Sequence, residues 1–228
     1  MILKGLQKLT LLDFPGKMAA TVFTGGCNLR CPFCHNASLV IPEKFGESIS
    51  EEDFFAFLGK RRGILEGICV SGGEPTLHPD LPEFIAKIKA LGFLVKLDTN
   101  GTCPEMLSEL ITKKLIDYVA MDIKSSEEGY PRAVGLESYP IDRIKESIEI
   151  LRSSGIDFEF RTTVVRQLHT ERDILGIGEW LGGKDKIFLQ TFTDSGDLIG
   201  TGYTAYSEEE MKSLLSLLQK HMPNAALR

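Results

Sequence analysis

Three cysteines lie close together near the N-terminus, and their spacing indicates thiolate chemistry. Cys27, Cys31 and Cys34 form the pattern CxxxCxxC and are followed directly by His35 and Asn36. A [4Fe–4S] cluster normally takes four cysteine ligands, so this loop would leave one iron without a protein ligand. An open coordination position is typical of a catalytic metal site rather than a structural one. The cysteine loop therefore predicts a redox-active iron–sulfur enzyme.

The cysteine loop also allows three other interpretations. Residues 31–35 match the CxxCH pattern of c-type haem attachment, but that usually accompanies export, and the N-terminal residues do not have the pattern of a signal peptide. The same residues fit a CxxC redox pair on a thioredoxin-like fold or a zinc site in which His35 joins the three cysteines. None of the three explains the polar clusters that follow later in the chain.

Four further polar clusters follow apolar segments. They are Ser71-Gly72-Gly73-Glu74-Pro75, Asp98-Thr99-Asn100-Gly101, the pair Asp122 and Lys124, and the pair Arg161 and Thr163. Consecutive glycines let a backbone approach a ligand closely, and a carboxylate accepts hydrogen bonds from an amino group. Aspartate and asparagine can hold hydroxyl groups, and a lysine can bind a carboxylate. An amino acid joined to a ribose and a base fits this set of groups.

The periodicity of the sequence predicts alternating strands and helices. Apolar β-rich segments lie at 19–25, 66–72, 93–99, 118–123, 158–164 and 186–192, and amphipathic segments at 51–61, 79–92, 104–115, 141–155, 171–182 and 207–221. The strands recur roughly every 25 to 30 residues, the size of a βαβ unit, which makes them parallel. Six units predict the α/β class, with a partial (β/α)6 barrel of parallel strands and a C-terminal helix.

The cysteine loop and the four polar clusters all follow predicted strands at or near their carboxyl ends. Parallel α/β sheets and barrels bind ligands at this end, so we expect the clusters to converge on one rim. Other residues of reactive types do not fit this pattern. Cys69, inside an apolar strand, and Cys103 are expected to be structural, and the spacings of His78, His169 and His221 favour surface or capping positions.

Length and composition restrict the class of protein. The chain has 228 residues, 43% of them hydrophobic, and no low-complexity linker, which predicts one domain over 1–228. Five cysteines, with three clustered, favour ligand use in a reducing compartment over a disulfide framework. A net charge of −6 gives a nucleic-acid backbone little attraction. The protein is therefore not expected to bind nucleic acid. Because the chain has no apolar stretch of about 20 residues, the protein is expected to be cytoplasmic and not to bind a membrane.

Two of these motifs resemble those of a known family. The cysteine loop with Phe33 before its last cysteine, followed by GGEP at 72–75, resembles the radical S-adenosylmethionine superfamily, whose fold is a partial (β/α)6 barrel. The run GCNLRCPFCHN at 26–36 is similar to the glycyl-radical-enzyme activating family, which includes the activators of pyruvate formate-lyase and of anaerobic ribonucleoside-triphosphate reductase. The resemblance covers residues 13–192 or so and leaves 193–228 as a C-terminal extension and helix.

The resemblance implies two cofactors and a role for each matching residue. Cys27, Cys31 and Cys34 would bind a [4Fe–4S] cluster, and S-adenosylmethionine would chelate its fourth iron. Phe33 would lie near the adenine, Gly72, Gly73 and Glu74 would receive the methionine amino group, and Asp98, Thr99, Asn100, Asp122 and Lys124 would complete the cofactor site. One electron would cleave the cofactor, and the 5′-deoxyadenosyl radical would then remove hydrogen from a backbone glycine of a partner enzyme. The protein would bind and orient the reactants and supply the electrostatic environment, because the radical chemistry belongs to the cofactors.

Two departures from the family pattern bear on the partner. The segment 13–17 reads DFPGK where relatives often read DGPGIR, and 189–192 holds no histidine, unlike the last strand of the lyase activase. Both favour the reductase-activator branch or an unassigned branch. The implied partners are a glycyl radical enzyme, with anaerobic ribonucleoside-triphosphate reductase as the leading expectation, and a flavodoxin- or ferredoxin-type electron donor. Two alternatives stay open: a radical enzyme acting on a small molecule, in the manner of 7-carboxy-7-deazaguanine synthase, and a non-catalytic metal-binding or electron-transfer protein.

Overall fold

Strands and helices alternate along most of the chain, which a computed structural model describes over residues 1–228. The strands are β1 (Leu3–Thr10), β2 (Ala19–Thr24), β3 (Gly67–Gly72), β4 (Leu94–Thr99), β5 (Tyr118–Asp122), β6 (Asp157–Val164), β7 (Ile187–Thr191) and β8 (Ala225–Leu227). The helices are α1 (Ala37–Val40), α2 (Glu51–Gly59), α3 (Leu81–Ala90), α4 (Pro104–Thr112), α5 (Tyr130–Val134), α6 (Asp142–Ser154), α7 (Glu171–Leu181) and α8 (Glu208–Leu218). None of the helices combines the length and the apolar character that a membrane span requires.

The chain separates into two units. Unit 1 consists of Met1–Asn28, Ser38–Ala120 and Arg143–Asp157, and unit 2 of Leu29–Ala37, Met121–Asp142 and Phe158–Arg228. The division passes through the cysteine loop, so Cys27 belongs to unit 1 whereas Cys31 and Cys34 belong to unit 2. The assignment of 1–228 to one domain stays a prediction.

The sheet of unit 1 is parallel except at its first strand. β1 pairs with β2 in the antiparallel sense, whereas β2, β3 and β4 are parallel neighbours. The register of β2 and β3 runs to the pair Thr24 and Gly72, so both strands end side by side. Apolar residues of these strands, such as Val22, Ile68 and Leu97, are fully buried. The register therefore brings the start of the cysteine loop next to the GGEP turn.

Unit 2 contains parallel strands and the C-terminal helix. β6 pairs with β7 and β7 with β8, all in the parallel sense. Helix α8 packs on α7, β7 and β8 and begins with a capping box in which Ser207 and Glu210 exchange side-chain and backbone hydrogen bonds. A second capping box, formed by Thr170 and Asp173, begins α7. Local sequence signals thus fix where both helices begin.

The predicted α/β class with mostly parallel strands is confirmed. All six predicted strands and all six predicted helices are present, with ends that shift by a few residues. Two strands were missed. β1 buries only Leu3 and Thr10 fully, so it has no apolar alternation, and β8 has three residues, too few to show a period. Both are held by backbone pairing with a neighbouring strand, which hydrophobic patterning does not record.

Candidate active site

The GGEP turn of unit 1 is built against the first residues of the cysteine loop. The amide of Gly73 donates to the Thr24 carbonyl over 2.9 Å, and the amide of Glu74 donates to the Gly26 carbonyl over 2.8 Å. A Cβ on Gly73 would lie 2.0 Å from the Gly26 oxygen, and one on Gly72, whose φ is +129°, would lie 2.2 Å from the Thr24 nitrogen. Both glycines are therefore required because two backbones touch here.

The carboxyl group of Glu74 faces inward and is 1% exposed. Its Oε1 accepts from the Thr76 amide over 3.0 Å, from the Thr76 hydroxyl and from the Thr99 hydroxyl over 2.8 Å. Its Oε2 accepts from the Asn100 amide over 2.6 Å. Burial raises the pKa of this carboxyl, and the four donors oppose the rise. Glu74 therefore ties the turn after β3 to the segment after β4, and its oxygens are already occupied by groups of its own chain.

Asp98 lies on a polar face of β3 and β4. Its Oδ1 accepts from the Lys96 ammonium, and its Oδ2 accepts from the Ser71 hydroxyl over 3.0 Å. Lys96 is 1% exposed, and its Nζ also lies 3.7 Å from the Cys69 sulfur. Cys69 is buried, as predicted, but it contacts a charged group rather than a purely apolar core. Sequence analysis missed Lys96, although Asp98 lies two residues later on the same strand, because a lysine is rarely buried and the sequence does not show that this one is.

The side chain of Asn100 also belongs to unit 1. It exchanges hydrogen bonds with Asn28 and Thr102, and its Nδ2 lies 3.8 Å from the sulfur of Cys27. Thr99 directs its hydroxyl to Glu74. Four of the predicted site residues in this unit, Cys27, Glu74, Thr99 and Asn100, therefore form one connected network.

The cysteine-loop segment of unit 2 is fixed by its own backbone. The Cys34 amide donates to the Cys31 carbonyl over 2.9 Å, which closes a turn around Phe33. The Arg30 amide donates to the Val134 carbonyl over 3.2 Å. Cys31 and Phe33 are buried, whereas Cys34 is half-buried, and burial raises the pKa of the Cys34 thiol. Backbone hydrogen bonds within unit 2 therefore define the shape of this part of the loop.

Asp122, Lys124 and Arg161 form a charged group in unit 2. Lys124 Nζ donates to Asp122 Oδ2 over 2.9 Å, and Arg161 Nε donates to Asp122 Oδ1 over 3.0 Å. Burial would raise the pKa of the Asp122 carboxyl, but the charges of Lys124 and Arg161 outweigh it and hold this pKa well below its usual range. Burial would lower the pKa of the Lys124 ammonium, but surrounding negative charge, chiefly that of Asp122, gives a net rise, so the ammonium is cationic.

His169 lies in the interior of unit 2, so the expectation of a surface or capping position was wrong. Its side chain is fully buried, its Nδ1 accepts from the Val165 amide over 3.0 Å, and its Nε2 lies 2.7 Å from the Lys124 carbonyl. Since a carbonyl can only accept, Nε2 carries the proton and the ring is neutral, in line with a pKa lowered by burial. The ring also meets Phe33 edge to face at 6.1 Å. No sequence signal reveals this role, because Lys124 lies 45 residues earlier.

None of the five cysteines is part of a disulfide bond. Three of them, at the CxxxCxxC spacing, supply the soft donors that an iron–sulfur cluster needs. The donor chemistry of the chain therefore fits the cluster that the loop predicts.

Comparisons with known proteins agree with this chemistry. The model of the Radical SAM superfamily matches residues 21–181. A Methanocaldococcus jannaschii protein named "Putative glycyl-radical enzyme activating enzyme MJ1227" is 34% identical over 235 residues, covering 100% of this chain and 95% of its own. The pyruvate formate-lyase-activating enzyme of Listeria monocytogenes is 33% identical over 134 residues, covering 52% of this chain and 51% of its own.

Solved structures support the same fold. The crystal structure of Streptococcus suis SuiB bound to precursor peptide SuiA matches 90% of this chain with a TM-score of 0.71 at 15% identity. This chain spans 47% of SuiB, about half of its length. SuiB has also been solved bound to S-adenosylmethionine. These matches agree with the α/β fold and with the partial barrel expected for it. They also agree with the cofactors of the family, a [4Fe–4S] cluster and S-adenosylmethionine. The chain is a radical S-adenosylmethionine enzyme and belongs to the family that includes the glycyl-radical-enzyme activating enzymes.

Proposed function

We propose that this enzyme cleaves S-adenosylmethionine reductively and installs a glycyl radical on a partner enzyme. The observation that carries the proposal is the match with the Methanocaldococcus jannaschii protein, which extends over 100% of this chain and 95% of the relative. A match of that extent includes the segments that flank the shared superfamily region. The Listeria activating enzyme, in contrast, matches over about half of each chain.

Cys27, Cys31 and Cys34 would hold the cluster. When bound, the two cofactors would supply the radical that removes a hydrogen atom from a glycine of the partner. The three thiols would have to lose their protons, so cluster binding would depend on pH. The backbone contacts of Gly73 and Glu74 with the start of the loop would keep Cys27 in place.

The methionine amino group would be received by the backbone of Gly72, Gly73 and Glu74. The carboxyl oxygens of Glu74 already accept four hydrogen bonds from Thr76, Thr99 and Asn100, so this side chain would act by holding the turn. Asp98 would likewise hold neighbouring residues in place, because its carboxyl oxygens accept hydrogen bonds from Lys96 and Ser71.

Lys124 would bind the carboxylate of the cofactor. An ammonium has three protons, and the bond to Asp122 uses one of them, so two remain for a ligand. Asp122 would keep Lys124 charged and oriented, and Arg161 would balance the second carboxylate oxygen. Phe33, whose ring packs on His169, would place its backbone near the adenine.

We further propose anaerobic ribonucleoside-triphosphate reductase as the partner and a flavodoxin- or ferredoxin-type protein as the electron donor. The support is the sequence at 13–17 and at 189–192, which departs from the lyase-activase pattern. Purified partner with this enzyme, reductant and S-adenosylmethionine should yield a glycyl radical signal in electron paramagnetic resonance (EPR). A signal with pyruvate formate-lyase and none with the reductase would contradict this assignment of the partner.

The first experiment is EPR of the anaerobically purified, reconstituted and reduced enzyme before and after adding S-adenosylmethionine. A [4Fe–4S] signal that changes on addition, with release of 5′-deoxyadenosine, is the expected result. A protein that holds only zinc, or a cluster signal indifferent to the cofactor, would support the structural-metal or electron-transfer alternative.

A small-molecule substrate is the second candidate. A probable GTP 3′,8-cyclase of Methanothermobacter marburgensis is 30% identical over 137 residues, covering 59% of this chain and 43% of its own. Turnover of a purine nucleotide or a pterin-like metabolite by the enzyme alone would support this candidate. A glycyl radical that forms only when the partner enzyme is present would exclude it.

A further inference from the structure

The amide of Asn100 is held in one orientation by a closed ring of hydrogen bonds. Thr102 Oγ1 donates to Asn100 Oδ1 over 2.7 Å, Asn100 Nδ2 donates to Asn28 Oδ1 over 3.1 Å, and Asn28 Nδ2 donates to Thr102 Oγ1 over 2.9 Å. The Thr102 backbone amide also donates to Asn100 Oδ1, over 3.0 Å. Because two donors converge on Oδ1, exchanging the amide oxygen and nitrogen would place donor against donor. The hydrogen-bond partners therefore determine which atom of this amide is the oxygen and which is the nitrogen.

The remaining proton of Asn100 Nδ2 is directed at Cys27, whose sulfur lies 3.8 Å away. Asn100 and Thr102 are 5% and 3% exposed, so water competes little for these groups. The segment is also held from its backbone, since the Asn100 amide donates to Glu74 and the Thr102 carbonyl accepts from Arg143 over 2.7 Å. The position of the N–H donor beside Cys27 is thus fixed by contacts of its own segment.

The side-chain amide of Asn100 has no hydrogen-bonding capacity left for a further ligand. Oδ1 accepts two hydrogen bonds, and the two protons of Nδ2 face Asn28 and Cys27. A residue that only contacted S-adenosylmethionine would keep at least one of these groups open. The contacts of Asn100 lead instead to the cysteine.

We propose that Asn100 is a positioning residue for the Cys27 ligand and raises the reduction potential of the cluster. The inference rests on the proposed function, in which Cys27 holds an iron of a [4Fe–4S] cluster. A hydrogen bond to a ligand thiolate stabilises the additional negative charge of the reduced cluster, so it favours the reduced form. Asn100 would thereby make the cluster easier to reduce by a given electron donor.

The test is the midpoint potential of the reconstituted cluster, followed by EPR in a redox titration. Asn100→Ala should keep the iron and sulfide content of the wild type and shift the potential to a more negative value. We expect the ratio of reduced to oxidised cluster at a fixed potential to fall about tenfold, which is 59 mV for a one-electron couple. Asn28→Ala is the matched control, because it opens the same ring but leaves the Asn100 donor beside Cys27, and it should shift the potential less.

A second variant separates the donor from the packing of the side chain. Asn100→Asp keeps the shape, loses the N–H group and adds negative charge beside the sulfur, so its potential should be at least as negative as that of Asn100→Ala. Equal potentials in the wild type and in both variants, with full clusters in all three, would overturn the inference and leave the proposed function intact. A wild type that forms no [4Fe–4S] cluster would overturn the proposed function and the inference with it.

A further test uses the wild type alone, so it does not depend on whether a variant binds a cluster. Protein labelled with 15N only at the side-chain amide of asparagine should show a 15N coupling in pulsed EPR of the reduced cluster, because Nδ2 of Asn100 lies next to a ligand sulfur, whereas Nδ2 of Asn28 donates to Thr102. The absence of such a coupling would contradict the inference even if the variants lose their clusters.

Discussion

The two units use opposite means to hold a carboxyl group. In unit 1, Glu74 is buried and receives four hydrogen bonds from neutral donors, whereas in unit 2 Asp122 is bound by the cations Lys124 and Arg161. Burial raises the pKa of Glu74, and the two cations lower that of Asp122. Neutral donors at fixed backbone positions define the shape of a loop, and cations keep a charge available for a ligand. We therefore expect unit 1 to fix geometry and unit 2 to supply charge.

The largest expected effect concerns the cysteines, which the division of the chain places in both units. Cys27→Ser, Cys31→Ser and Cys34→Ser should each lose the [4Fe–4S] cluster, because serine oxygen is a poor substitute for thiolate at iron. Iron and sulfide analysis with EPR measures the loss. Cys103→Ser is the control and should keep the cluster; a cluster retained in the Cys34 variant would contradict the assignment.

The geometric role of unit 1 is tested by Gly73→Ala. The new Cβ would lie 2.0 Å from the Gly26 carbonyl oxygen, so one of two backbones must move. Overpacking of this kind costs about 1–3 kcal/mol in the free energy of unfolding, which chemical denaturation measures. Gly46→Ala, with nothing within 4 Å of its Cβ, is the matched control and should change stability little.

His169→Leu tests whether unit 2 also depends on neutral hydrogen bonds. The variant leaves the Val165 amide and the Lys124 carbonyl without their partner, and such buried groups cost about 1–3 kcal/mol. Denaturation of the variant should show this loss, and His169→Gln, which keeps a donor and an acceptor, should recover part of it. A leucine variant as stable as the wild type would mean that other groups satisfy both atoms.

The charge role of unit 2 is tested by Lys124→Ala. The cluster should remain, while the affinity for S-adenosylmethionine falls about tenfold, or ~1.4 kcal/mol. The readout is the cofactor concentration that changes the EPR signal of the reduced cluster. Unchanged affinity would remove Lys124 from the cofactor site, and Lys113→Ala, on the exposed surface of unit 1, is the control.

The smallest expected effect is the opposite pH dependence of the two carboxyl groups. The lowered pKa of Asp122 stabilises the fold above the unfolded-state value, about 3.9 for aspartate, and this contribution is lost as the pH falls. The raised pKa of Glu74 acts in the reverse sense, so its contribution is lost as the pH rises above about 4.3, its unfolded-state value. Denaturation from pH 3 to 7 should show a weaker acid loss in Asp122→Asn and a weaker loss towards neutral pH in Glu74→Gln. Slopes equal to the wild type in both variants would contradict the assigned shifts.

Much of the fold followed from the sequence because its signals are local. The apolar stripe of α6, with Ile144, Ile148 and Leu151 buried, and the left-handed Gly155 after the helix are readable within 15 residues. The prediction of a cluster site in the cysteine loop rests on an equally local signal, three thiols within eight residues. The strands β1 and β8 were missed because backbone pairing, not patterning, holds them.

By itself, the sequence determined which residue types are available, their local spacing and the elements that carry them. Only the tertiary structure decided that Glu74 faces inward, that Asn100 is directed at Cys27 and that His169 supports Lys124. These contacts join residues that are 26, 73 and 45 positions apart. A side chain's partner at such a distance depends on strand register and on which atoms remain unsatisfied once the backbone has paired, and no local pattern contains that information.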